Sequence, residues 1–98
     1  MLLSRFNVQP TEDRQFVVDY SDRLGSTQLL STLAAVIVTP IDTPPFTVTG
    51  LVSNAGTAVT LRVTGGIDGA EYKVELQVTT TVTLETWEDE LIFIVEDL

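Results

Sequence analysis

The chain has 98 residues, 44% hydrophobic and 19% charged, with 5 Lys+Arg against 14 Asp+Glu and a formal charge of −9. A field of that sign repels phosphate and removes the electrostatic drive toward nucleic acid or an anionic membrane; it serves either solubility or a basic protein partner. With neither histidine nor cysteine, the chain has no Ser–His–Asp triad, Cys–His pair, disulfide or metal site built on histidine or sulfur. The length fits one small domain. Its longest apolar run, residues 33–38, is too short for a membrane-spanning helix. Residues 1–6 break off too soon for a signal-peptide core, so the chain is expected to be used as it is made.

Residues 1–14 contain Leu2, Leu3, Phe6 and Val8 with no period, and read as an N-terminal arm ahead of a domain spanning 15–98. An arm of this kind either folds back on its own domain or docks on a neighbouring subunit. Residues 15–21 alternate, Phe16, Val18 and Tyr20 against Val17, Asp19 and Ser21, which predicts a first strand. Residues 22–26 read as a turn, with Gly25 at positive φ. The largely apolar residues 27–39 suit a strand buried on both faces or bent between two sheets. A helix over 29–35 competes there, because Leu, Ala and Gln are good helix formers.

Pro40, Pro44 and Pro45 break any ladder. Alternation resumes over 46–53, and 54–57 reads as a reversal. Residues 59–78 predict a β-hairpin: Val59, Leu61 and Val63 share one face, Tyr72, Val74, Leu76 and Val78 another, around Gly65, Gly66 and Gly69. After Val78 the threonine-rich residues 79–84 continue the strand, bulge or turn. Residues 87–96 predict the last strand, with Leu91, Phe93 and Val95 on one face and Ile92 and Ile94 on the other, so both faces should be covered. The run 85–90 reads as an edge kept from pairing by its charge, or as a docking strip for a basic neighbour. The pattern as a whole gives about seven strands, an all-β sandwich or barrel.

Paired carboxylates are the remaining catalytic option. Neighbours along a strand face opposite ways, however, and a small sandwich leaves little room for the enclosed cleft two acids require; no enzyme, cofactor or metal is expected. Asp19, Asp22, Asp42 and Asp68 would hold calcium only if their loops converged. Tyr20, Tyr72 and Trp87 are the aromatics available for a sugar platform. The two tyrosines align with apolar strand faces, and Trp87 reads as a cap on the end of the core.

Two blocks carry a more specific signal. Phe16-Val17-Val18-Asp19-Tyr20-Ser21-Asp22-Arg23-Leu24 resembles the opening block of small tailed-phage proteins known as fiber–tail adaptors. Residues 59–74, through Gly65-Gly66, Gly69 and Tyr72, resemble the glycine-containing block that follows in the same proteins, in the same order and at the same separation. Pro10 stands at the family's lysine–proline entry, with Gln9 in place of the basic residue. The resemblance covers about residues 10–80 and implies an immunoglobulin-like or fibronectin-III-like antiparallel β-sandwich.

It further implies a non-enzymatic virion protein, made in the host cytoplasm, that joins tail or neck to fibers in a multi-copy ring. The partners expected are other tail, neck or fiber proteins, with no nucleic acid and no membrane. Leu2, Leu3, Phe6, Glu85, Trp87, Glu88, Asp89 and Glu90 are the interface candidates. The alternative is an immunoglobulin-like carbohydrate-binding or adhesin module built on an exposed Trp87.

Overall fold

The computed structural model describes residues 2–41 and 43–97, and for Leu2 and Leu3 the backbone alone. Asp42, one of the four aspartates weighed for calcium, lies outside the described residues. Among those described, the strands are β1 (Leu2–Val8), β2 (Asp13–Asp19), β3 (Leu30–Thr39), β4 (Phe46–Ser53), β5 (Ala58–Gly65), β6 (Glu71–Thr80) and β7 (Thr86–Val95). A single helical turn α1 (Ser21–Leu24) follows β2, and a 3₁₀ turn at Asn54–Gly56 joins β4 to β5. The strands form a four-stranded sheet, β1-β7-β6-β3, and a three-stranded sheet, β2-β5-β4.

The core lies between the sheets. Alternation puts Val59, Leu61 and Val63 of β5 opposite Tyr72, Val74, Leu76 and Val78 of β6 and Leu91, Phe93 and Val95 of β7, all at most 2% exposed. Two aromatic groups tie the layers together. Phe6, Phe16 and Phe93, from β1, β2 and β7, have centroids 4.7–5.4 Å apart. Phe46 of β4 stacks on Tyr72 of β6 at 4.8 Å, and the Tyr72 hydroxyl accepts the Ile67 N–H at 3.0 Å.

The predicted hairpin over residues 59–78 does not form. β5 pairs with β2 and β4, whereas β6 pairs with β3 and β7, so the two strands belong to different sheets. Gly65 and Gly66 (φ 84° and 91°) carry the chain across, and the Gly66 N–H donates to the Pro45 carbonyl at 3.1 Å. A Cβ on Gly65 would stand 2.5 Å from that same oxygen. Alternation reports one dry face per strand, and two strands facing each other across a core satisfy it as well as two lying side by side. The hairpins are β4–β5 and β6–β7. In the latter the Thr80 N–H donates to the Glu85 carbonyl at 2.9 Å, making residues 81–85 a turn.

The N-terminal segment is not an aperiodic arm. Leu2–Val8 is a strand running parallel to β7, with Phe6 opposite Phe93 and Val8 opposite Val95. An irregularity between Leu2 and Ser4 breaks the alternation that would have revealed it. The sandwich is therefore not wholly antiparallel, and β2 begins at Asp13, inside the expected arm. β3 is confirmed as a strand: pairing with β6, Val36 opposite Leu76, outweighs the helix propensity of its leucines and alanines. It is an edge strand rather than one buried on both faces, and Ile37 is 41% exposed. β7 is not an edge, since β1 and β6 flank it. The prolines separate β3 from β4 as expected, and Gly25 has φ 68°.

Candidate functional site

Polar chemistry concentrates where β2 leaves its sheet. The Asp19 carboxylate accepts the Ser21 N–H at 2.9 Å and starts the turn. That backbone hydrogen bond, reinforced by the Ser21 hydroxyl, holds the Asp19 carboxyl below its ordinary value of 3.8. The Tyr20 N–H bonds the Thr57 carbonyl at 2.8 Å. Leu24, at the end of α1, is buried. Tyr20 and Arg23 are thereby aimed at β7 from opposite ends of one helical turn.

Both meet Asp89. The Tyr20 hydroxyl donates to Asp89 Oδ2 at 2.9 Å, and Arg23 Nη1 donates to the same oxygen at 2.6 Å. Asp89 is 0% exposed, and its Oδ1 has no hydrogen-bond partner among the described residues. The Arg23 guanidinium lies 4.4 Å over the Trp87 ring and 5.4 Å from that of Tyr20, and the two rings stack at 6.2 Å. Burial first, and then donation to Asp89, pushes the Tyr20 hydroxyl far above its ordinary 10.0, with Arg23 opposing. The arrangement is a tie between the β2–β3 corner and β7, with an aromatic–cation–carboxylate stack at its heart.

The outward face of the four-stranded sheet is acidic. Glu75 stands directly opposite Glu90, and Gln77 opposite Glu88. Lys73 pairs with Glu75 at 3.0 Å, and Gln77 donates to Glu88 at 3.3 Å. The Lys73 hydrogen bond and charge hold the Glu75 carboxyl below its ordinary 4.5. Glu75 in turn raises Lys73, with smaller contributions from Glu90 and Glu88. On this face one ammonium is shared among three carboxylates.

The interface candidates divide by the direction of their side chains. The parallel β1–β7 pairing brings the two groups together, with Leu2 opposite Glu90; the side chains of Leu2 and Leu3 lie outside the described residues. Phe6 is half-buried in the aromatic core. Trp87 is half-buried beneath Arg23 and Tyr20, and Asp89 is wholly internal, so the run 85–90 is not a uniform solvated strip. Glu88 is exposed and Glu90 partly so. Glu85 sits in the β6–β7 turn, accepting the Thr83 hydroxyl at 2.7 Å. The faces a sugar platform would use are occupied: Tyr20 and Tyr72 are core, and Trp87 carries Arg23. Asp68 accepts the Asp97 N–H at 3.0 Å, and no group of three or more metal-binding carboxylates occurs among the described residues.

Arg23 is the residue missed from sequence. Its signal was positional, a lone cation three places after a buried tyrosine.

These features define a two-sheet β domain in which the buried Asp89, with Tyr20 and Arg23, fastens a corner, and whose other charged groups, among the described residues, lie at the surface. The chain belongs to a family of phage fiber–tail adaptors: the family model Gp77, described as podophage GP4 fiber-tail adaptor protein gp77, matches residues 9–93. No protein of curated function matches it.

Proposed function

We propose that the chain is a non-enzymatic structural component of a tailed-phage virion, present in several copies and joining tail or neck to fibers through protein–protein contacts. The observation that carries this reading is family membership across residues 9–93. The lack of histidine and cysteine, and the use of the buried Tyr20–Arg23–Asp89 group as a tie, support a role without catalysis. We further assign the scaffold to the immunoglobulin-like sandwiches. Taking β2 to β7 as strands B to G, the sheets read B-E-D and G-F-C, with the first strand moved over to G. The Tyr72 hydroxyl, at the start of the sixth strand, accepts a backbone N–H five residues upstream, as a tyrosine corner does.

Docking is assigned to the outward carboxylates Glu85, Glu88 and Glu90, beside the β1 entry at Leu2 and Leu3, with a basic neighbour as partner. Phe6, Trp87 and Asp89 hold that surface from within. Direct opposition of Glu75 and Glu90 costs stability, and a surface that accepts such a cost fits one matched to a cationic partner. The test is quantitative mass spectrometry of purified, nuclease-treated particles. A fixed ratio to tail proteins is expected. Finding the chain only in the soluble lysate removes the adaptor reading.

A further inference from the structure

The sandwich has four edge strands, β1 and β3 in one sheet and β2 and β4 in the other. Two are protected by charge, as exposed edges usually are: β1 carries Arg5, and β2 carries Asp13, Arg14 and Asp19. β3 and β4 carry no ionisable side chain at all. In the sequence, Asp42 is the only charged residue between Gly25 and Leu61. The two bare edges lie on the same flank: Leu33 of β3 reaches Gly50 of β4, where an added Cβ would stand 2.9 Å from Leu33 Cδ2. Of the apolar side chains on these two edges, Ile37 of β3, opposite Glu75 on the outer face of the four-stranded sheet, is 41% exposed, and Leu51 of β4, opposite Thr60 on the outer face of the three-stranded sheet, is 60% exposed. An uncharged, partly apolar edge with one side of its ladder open invites another strand, and beyond the register shifts at Leu30/Thr32 and Leu33/Ala35 the regular part of β3 is Ala35–Thr39.

We propose that the occupant is a second copy of this chain, with β3 of one copy antiparallel to β3 of the other about a two-fold axis and the two β4 strands alongside. The argument is electrostatic. Two molecules of charge −9 repel over every surface that bears the excess, and an isologous contact sets each residue against its own kind. The β2 edge, with Asp13 and Asp19 at its two ends, would oppose like charges if paired with its own copy about Phe16, which is destabilising. An uncharged strand is self-complementary and demands nothing of its partner's sequence. A basic virion protein would instead be drawn to the acidic face, leaving this flank for copies to meet. The stretch Ala35–Thr39, in unbroken register with β6, is where the two copies would pair.

The inference rests on the multi-copy part of the proposed function, and sedimentation equilibrium of the full chain separates the two. The expected result is a reversible dimer that high salt leaves unchanged or tightens. Ile37→Lys and Leu51→Lys should each weaken association by about tenfold or more, with the melting transition retained. Asn7→Lys, on the protected β1 edge, should leave it unchanged. A monomer at every concentration overturns the proposal, as does a dimer indifferent to both flank lysines. So does a flank whose amides gain hydrogen-exchange protection only when a tail or fiber protein is added. A monomer in solution would leave particle stoichiometry standing, and absence from particles would leave the dimer standing.

Discussion

Removing the Tyr20 hydroxyl is the sharpest probe of the corner tie. Tyr20→Phe keeps the ring, its stack on Trp87 and the core volume, and deletes one hydrogen bond to a carboxylate with no solvent exposure. Hydrogen bonds to charged groups contribute about 1.5–3 kcal/mol. Because Oδ1 has no hydrogen-bond partner among the described residues, we expect a loss of about 2–3 kcal/mol. Breaking a wholly buried ion pair costs about 3–5 kcal/mol, but the Arg23 side chain is 34% exposed and solvent screens it. Arg23→Ala should therefore cost about 1–3 kcal/mol, its stacking on Trp87 included. Both donors bind the same oxygen, so the double variant should depart from additivity by at least about 0.5 kcal/mol. Urea titrations followed by Trp87 fluorescence and by circular dichroism give all three values.

The proton gives a second readout of the same tie. The folded state holds the Tyr20 proton above the ordinary value of 10.0, so its stabilisation is complete below pH 10 and declines as pH rises further. Over that range the wild type should lose about 1.4 kcal/mol per pH unit more than Tyr20→Phe, the value for one proton. Additive single variants together with equal alkaline slopes would refute the tie.

Other perturbations separate packing, charge and docking. Gly66→Ala and Gly69→Ala impose the same left-handed strain, about 1–2 kcal/mol. Only at Gly66 does the new Cβ meet Val95, Tyr72 and Phe46 at 3.0–3.2 Å, so Gly66→Ala should cost about 1–3 kcal/mol more by urea titration. Phe6→Ala should lower stability by about 2–3 kcal/mol, which makes β1 part of the fold; a deletion of residues 1–8 should likewise lower the melting temperature. Glu75 is held below its ordinary 4.5, so its stabilisation is complete above that pH and is lost below it, as pH falls through the lower folded-state value; Glu75→Gln should flatten the acid limb of the stability curve. Glu90→Lys removes the opposition to Glu75 and should hold or raise the melting temperature while lowering incorporation into particles.

What the sequence made legible follows from what alternation measures. It located β2, β4, β5, β6 and β7 because each has one face in the core, and it placed Tyr20 and Tyr72 inside. It carried no information on which strand lies beside which, so β5 and β6 looked like a hairpin when their dry faces meet across the sandwich. It failed at β1, where the irregularity after Leu2 and the parallel partner, more than eighty residues away in sequence, leave no local trace. It overstated the burial of β3, since apolar composition alone does not distinguish a central strand from an edge.

Asp89 shows how far the same pattern reaches when carried through. Leu91, Phe93 and Val95 define the core face of β7, and counting back by twos places Asp89 and Trp87 on it, with Glu88 and Glu90 outside. A carboxylate on that face has to be met by a cation or a donor, because burial of an isolated charge costs far more than a small domain can lose. The chain has five cations, and one of them, Arg23, follows a core-facing tyrosine by three residues. Tyr20, just after β2, and Arg23, in α1, supply the donor and the cation. Parity thus separates the acidic run into inward and outward members. Which cation closes the tie depends on α1 folding the β2–β3 corner over β7, a contact set by tertiary packing and visible only in the structure.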